Sequence, residues 1–139
     1  MRYSKTTLSG SRRGASAVEF AIVAPIFFMV ILGMIEFGRM MMVQQVITNA
    51  AREGARIAVL DSATNKKVTD KVNDYLNAGG VAGAKIKLTP DPPTNAGFNQ
   101  PVSVSVTVPF DSNTWLPAPF FLGGRVLEAE AVMRRETVE

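Results

Sequence analysis

Residues 20–35 form sixteen consecutive positions without a charged or hydrogen-bonding side chain. Four basic residues, Arg2, Lys5, Arg12 and Arg13, precede them with no acidic residue among them. A membrane-spanning helix needs about 20 mostly apolar residues. Residues 15–35 supply twenty-one, interrupted only by Ser16 and Glu19, and Gly38 with Met40, Met41, Met42 and Val43 extends the apolar character. A cleaved secretory signal has a shorter apolar region and then a small-residue cleavage site. Here the run is followed by Glu36-Phe37-Gly38-Arg39-Met40, which offers no such site. The core helix of a soluble protein has no need of a one-sided basic flank. A membrane anchor is therefore expected. Its basic end stays in the cytoplasm and its C-terminal part is translocated.

The rest of the composition follows from this feature. The 139 residues suit one small domain plus an anchor. The charged fraction of 19% is low against a usual share of about 25%, and the deficit lies in the apolar run. Four of the fifteen basic residues precede Ala15, and the remaining eleven face twelve acidic ones. The excess positive charge thus belongs to the leader and not to a folded surface, so no nucleic-acid partner is expected. The chain has no cysteine and no histidine. Disulfides, thiolate catalysis, zinc sites built on those residues and a Ser-His-Asp triad are excluded. Asp61, Asp70, Asp74, Asp91 and Asp111 show no spacing that pairs two as acid and base or as metal ligands. No enzyme, cofactor or metal is expected.

Glu19 is what separates a plain anchor from something more specific. A carboxylate near the head of a membrane helix is unfavourable, by about 2.5–3.5 kcal/mol at the bilayer centre and less towards an end. It stands five residues after Gly14, in Arg12-Arg13-Gly14-Ala15-Ser16-Ala17-Val18-Glu19-Phe20. That arrangement resembles the processing site of type IV pilin-like precursors. The resemblance implies a prepilin peptidase as partner, which cuts after Gly14 and makes Ala15 the new N-terminus. Glu19 is then the fifth mature residue, followed by the aromatic Phe20. A new α-ammonium at Ala15 lies about one helical turn from Glu19, on its own chain or a neighbouring one. In a low-dielectric bundle that charge offsets the burial of the carboxylate.

Helical periodicity continues beyond the apolar run. Val43, Val46, Ile47, Ala50, Ala51, Gly54, Ile57 and Ala58 recur at three- and four-residue steps, while Gln45, Asn49, Arg52 and Arg56 share another face. The first half of the helix is apolar all round and the second is amphipathic. A helix over residues 15–59 is about 67 Å long, and a bilayer core is about 30 Å thick. The distal half is expected outside the membrane, its apolar stripe packed on the downstream domain. Pro25 predicts a kink or tilt and Gly54 a weak point.

Three motifs along this helix are in register: the Arg13–Ala21 stretch quoted above with its following Ala21, then Ile35-Glu36-Phe37-Gly38-Arg39, then Asn49-Ala50-Ala51-Arg52-Glu53-Gly54-Ala55-Arg56. Together they resemble the TadE-like family, pseudopilins of the Tad (tight adherence) pilus system. The resemblance covers roughly residues 12–59. It implies a minor subunit of a surface pilus or of its assembly machine, with other Tad pilins, an inner-membrane assembly platform and the lipid bilayer as partners. Glu19, Glu36, Arg39, Arg52, Glu53 and Arg56 become candidates for subunit packing or register. The plainer readings are an i,i+3 pair between Glu36 and Arg39 at the membrane exit, and a solvated helix face for Arg52, Glu53 and Arg56.

Downstream, residues 64–77 predict a short helix with Val68, Val72, Tyr75 and Leu76 on its apolar face, stopped by Ala78-Gly79-Gly80. Residues 85–89 predict a strand, and residues 90–101 a loop. Val102-Ser103-Val104-Ser105-Val106-Thr107-Val108 alternates as a half-buried strand does. Trp115, Pro117, Pro119, Phe120 and Phe121 lie in an apolar connection that either covers the core or forms a contact surface. Residues 126–134 alternate Leu127, Ala129, Ala131 and Met133 with charged residues, and predict an antiparallel neighbour of the valine strand. The expected fold is α+β, a long helix packed on a small antiparallel sheet in a pilin-like arrangement. The expected organisation is a basic leader (1–14), a transmembrane half-helix (15–36), an amphipathic extension (37–59) and an extracytoplasmic α+β domain (60–139). The expected location is the bacterial cytoplasmic membrane, with a single pass. The alternative is an uncleaved single-span protein whose outer domain binds a cell-envelope partner.

Overall fold

A computed structural model of the chain describes residues 11–114 and 122–135. Most of the leader, and the apolar residues Trp115, Pro117, Pro119, Phe120 and Phe121, lie outside the described residues. The element order is α1 (Ser11–Ala58), α2 (Asn65–Ala78), β1 (Lys85–Thr89), β2 (Pro101–Pro109) and β3 (Val126–Arg134), with single 3-10 turns at Pro93–Asn95 and Phe110–Ser112. The three strands form one antiparallel sheet in the order β1-β2-β3. The fold is α+β, as the periodicities predict. The chain divides into two compact units between Ile35 and Glu36.

In the first unit α1 continues through Pro25. In the second, one stripe of α1 is sealed: Val43, Ile47, Ala50, Ala51, Gly54, Ala55 and Ala58 are buried, while Gln45, Asn49, Arg52 and Arg56 are exposed. The stripe is mostly alanine and glycine for a steric reason. A Cβ on Gly54 would stand 2.5 Å from Val72 Cγ2 and 3.2 Å from Val104 Cγ1, so the helix backbone lies directly against α2 and β2. Gly54 is therefore not the weak point expected from helix propensity. It is a position of close approach. The sheet contributes Val102, Val104, Val106 and Val108 from β2 and Leu127, Ala129 and Ala131 from β3 to the same core. Alternation places these on one face and leaves Glu128, Glu130 and Arg134 exposed on the other.

Helix α2 is capped at both ends. Thr64 Oγ1 accepts from Lys67 N–H at 3.2 Å, the side-chain satisfaction of an orphan donor that favours threonine at this position. At the other end Gly80 takes φ +63°. Val81 N–H donates to Leu76 O at 2.9 Å, and Gly80 N–H to Asn77 O at 3.0 Å. This is a Schellman closure, which needs a left-handed residue and so favours glycine. Val68, Val72 and Leu76 face the core at i, i+4, i+8. Tyr75 corrects the sequence expectation: it lies at the flank of that stripe and is 42% exposed.

Candidate functional site

The candidate residues fall into three groups along α1. The first is Gly14, Ala15, Glu19 and Phe20. Helix α1 begins at Ser11, four residues before the expected start, so Gly14 lies inside the helix. All four are exposed, and a Cβ on Gly14 would meet nothing within 4 Å. The apolar side chains that follow are exposed as well, Phe20 to 72% and Phe27, Phe28 and Ile26 to about 60%. By length and composition α1 is long and apolar enough to cross a membrane, and none of its most apolar window is buried within the chain. Water does not tolerate an apolar surface of this extent on a lone soluble domain. A bilayer or a bundle of like helices does.

The second group is Glu36 and Arg39. Glu36 is 1% exposed, and its Oε1 accepts from Leu122 N–H at 3.2 Å. Arg39 donates from Nε to Asn113 O at 2.9 Å and from a terminal nitrogen to Gly80 O at 3.2 Å. Its other terminal nitrogen contacts Met42 Sδ at 3.4 Å. Among the described residues the ion pairs are Glu53–Arg56, Lys66–Asp70 and Asp61–Arg135. Glu36 and Arg39 thus reach loops distant in sequence, in place of the i,i+3 pair expected between them. The reason is the positions of the loops: they bring backbone groups that need partners against this turn of α1.

The loops are tied to each other by a residue that sequence reading passed over. Asn113 is 5% exposed. Its Oδ1 accepts from Ala82 N–H at 2.7 Å, and its Nδ2 donates to Ala82 O at 2.9 Å and Pro109 O at 3.1 Å. Asp111 accepts from Gly124 N–H at 3.0 Å. The only local signal was Asp111-Ser112-Asn113 directly after a strand, a composition that favours side-chain capping of turns. Arg135 was also passed over. It is buried and donates to Thr94 O, Ala96 O and Asp61 Oδ1 at 3.0, 3.1 and 3.3 Å.

The third group is Arg52, Glu53 and Arg56. Arg56 grips Glu53 with two bonds of 2.9 and 2.6 Å. The guanidinium holds the Glu53 carboxyl below its ordinary range, and the carboxylate raises Arg56 in turn. Arg52 and Arg56 are exposed, on a solvated face of the helix. Of the aspartates, Asp61 meets Arg135, Asp70 meets Lys66, Asp91 meets Asn65 and Asp111 meets Gly124. Among the described residues no three metal-capable side chains converge.

A long helix with an unburied apolar half, continuing into the core of a small α+β domain, defines a membrane-anchored, pilin-like class of protein. Residues 14–56 match the model of the TadE family, described as TadE-like protein, which is the family that the three motifs resemble. The match lies within α1 and spans residues 14–56 of the 139, so it is a likeness of that helix to the helix of Tad pilus-associated proteins. No curated protein and no solved structure matches the chain.

Proposed function

We propose that this chain is a minor pilin or pseudopilin of a Tad-type pilus, acting structurally in pilus assembly and surface adherence. The observation that carries the reading is one continuous helix with two kinds of surface. From Gly14, where the family match begins, its apolar side chains are unburied and Glu19 is the single carboxylate among them until Glu36. From Val43 its stripe is sealed into the core. In this reading a prepilin peptidase removes residues 1–14, and residues 15–36 hold the subunit in the cytoplasmic membrane. Residues 37–59 extend the helix, and residues 60–139 complete the domain outside. An assembly platform then draws the anchored subunit into a bundle with other Tad pilins. There the apolar half-helices pack, and Glu19 meets an α-ammonium from Ala15 on its own or a neighbouring chain. A charge pair in a low-dielectric bundle is strongly orienting, because a register slip leaves an unpaired buried charge. Arg52 and Arg56 on the exposed face, with the half-buried Glu53 between them, are the further positions at which neighbouring subunits meet, while Glu36 and Arg39 act from inside the domain by holding the loops beside them.

Mass spectrometry of the membrane-extracted chain tests this. The expected mass begins at Ala15. A chain that keeps residues 1–14 in cells with an active peptidase overturns the reading and leaves an uncleaved anchor in its place. Glu19→Ala separates the two further. A plain anchor inserts as well or better without the carboxylate, whereas a pilin-like subunit still inserts but is lost from the assembled material.

A further inference from the structure

The sheet has two unlike faces. One is the valine and leucine face of the core. The other is solvent-exposed, and the register orders it into rows: Lys85–Thr107–Glu128, Lys87–Ser105–Glu130 and Thr89–Ser103–Val132. Read down the strands, β1 presents Lys85, Lys87 and Thr89, β2 presents hydroxyls between Pro101 and Pro109, and β3 presents Glu128 and Glu130 between Val126 at one end and Val132 and Arg134 at the other. The outer columns are two strand spacings apart, about 10 Å. Among the described residues none of Lys85, Lys87, Glu128 and Glu130 is in an ion pair. Ser105 Oγ instead donates to Glu128 Oε1 at 3.2 Å. The middle of the face therefore carries separated, uncompensated charge of both signs, with the apolar Val126 and Val132 exposed on either side of the two glutamates.

Such a face is complementary to itself in one orientation. A twofold axis lying in the face and parallel to β2 sets the lysine column of one copy over the glutamate column of the other, row for row. The hydroxyl column then faces itself. An axis across the strands sets lysine over lysine, which is repulsive. Edge-to-edge extension of the sheet is disfavoured at β3, where Gln44 Nε2 already occupies the Glu128 carbonyl at 3.0 Å. We propose that this face pairs isologously with the same face of a second copy of the chain. The patch covers only a few hundred Å² by strand spacing and rise, against about 800 Å² per partner in a standard interface. The contact is accordingly weak between freely diffusing copies and forms where copies are held at high local concentration, as on one membrane. It depends on the domain surface alone and not on processing at Gly14.

Cysteine cross-linking of the full chain in membranes tests it, because the chain has no native cysteine. Ser105→Cys places the thiol beside the axis and is expected to give a disulfide-linked homodimer under mild oxidation. Asn73→Cys, on the exposed side of α2, serves as the control, with a yield about tenfold lower. Lys85→Glu with Lys87→Glu should lower the Ser105→Cys dimer by about tenfold, since several surface ion pairs become repulsions. Adding Glu128→Lys and Glu130→Lys to the same chain should restore it, which also shows that the reversed chains fold. Any of four results overturns the proposal: no Ser105→Cys dimer, a dimer indifferent to charge reversal, an adduct with a different protein as the main product, or linkage of Lys87→Cys to Lys87→Cys in preference to Glu130→Cys. The mass at the N-terminus is unaffected by all of these, so failure here is distinct from failure of the pilin reading.

Discussion

Asn113 closes three backbone hydrogen bonds with one short amide, two to Ala82 and one to Pro109. Removing it leaves an N–H and two carbonyls at a partly buried site without this partner, where water can meet some of the need, so the cost lies towards the lower end of the about 1–3 kcal/mol of a fully buried unmet group. Asn113→Ala should therefore lower the unfolding free energy of the detergent-solubilised chain by that order. Hydrogen exchange at Ala82 N–H should speed up with it, and unchanged exchange there would refute the assignment. Glu53 offers a contrasting case. Arg56 holds its carboxyl below the ordinary value, so the pair's contribution is fully present above the ordinary glutamate range. It is lost as pH falls through the lowered value. Glu53→Gln should flatten that part of the acid limb in urea titrations. The effect is small and fades with added salt, because the pair is solvated.

At the scale of elements, the contact between α1, α2 and β2 is decided at Gly54. Alanine is the better helix former by about 1 kcal/mol. Its Cβ, however, would press on Val72 and Val104, and overpacking a tight site typically costs about 1–3 kcal/mol. Contact should win: Gly54→Ala is expected to destabilise, and Val72→Ala to relieve part of that loss, so the two changes are non-additive. Equilibrium unfolding of both single variants and the double variant measures this, and strict additivity would show that the two do not meet. The same helix marks how far the sequence could be read. The amphipathic stripe, α2, the valine strand and β3 were legible because each repeats a polarity pattern within a few residues. Gly54 was misread because propensity is blind to what lies opposite. The loop clamp was illegible for a related reason. Arg39 meets Asn113 across 74 positions and Glu36 meets Leu122 across 86, and no local period encodes such pairs. Glu19 stood out in the sequence for the opposite cause, a charge out of place in an apolar run.

For the whole molecule, anchoring and folding lie in different stretches of the chain. The buried apolar residues run from Val43 to Ala131, and the large apolar side chains before Glu36 are exposed or half-buried. A fragment spanning residues 36–139 should then keep the entire core while losing the surface that water cannot solvate. Its first residue matters, because Glu36 and Arg39 satisfy backbone groups at Leu122, Asn113 and Gly80. The 36–139 fragment is expected to be soluble, to unfold in one cooperative transition and to keep slow exchange at the loop amides. A fragment that starts at Met40 retains the same apolar core but lacks both side chains. It should still be soluble, yet unfold at lower denaturant and exchange faster at Leu122. Chemical denaturation and hydrogen exchange on the pair measure the difference. If both fragments behave alike, the Glu36–Arg39 turn does not hold the loops. If the longer one aggregates or unfolds without cooperativity, the core depends on residues before Glu36, and the separation of anchor from fold is wrong.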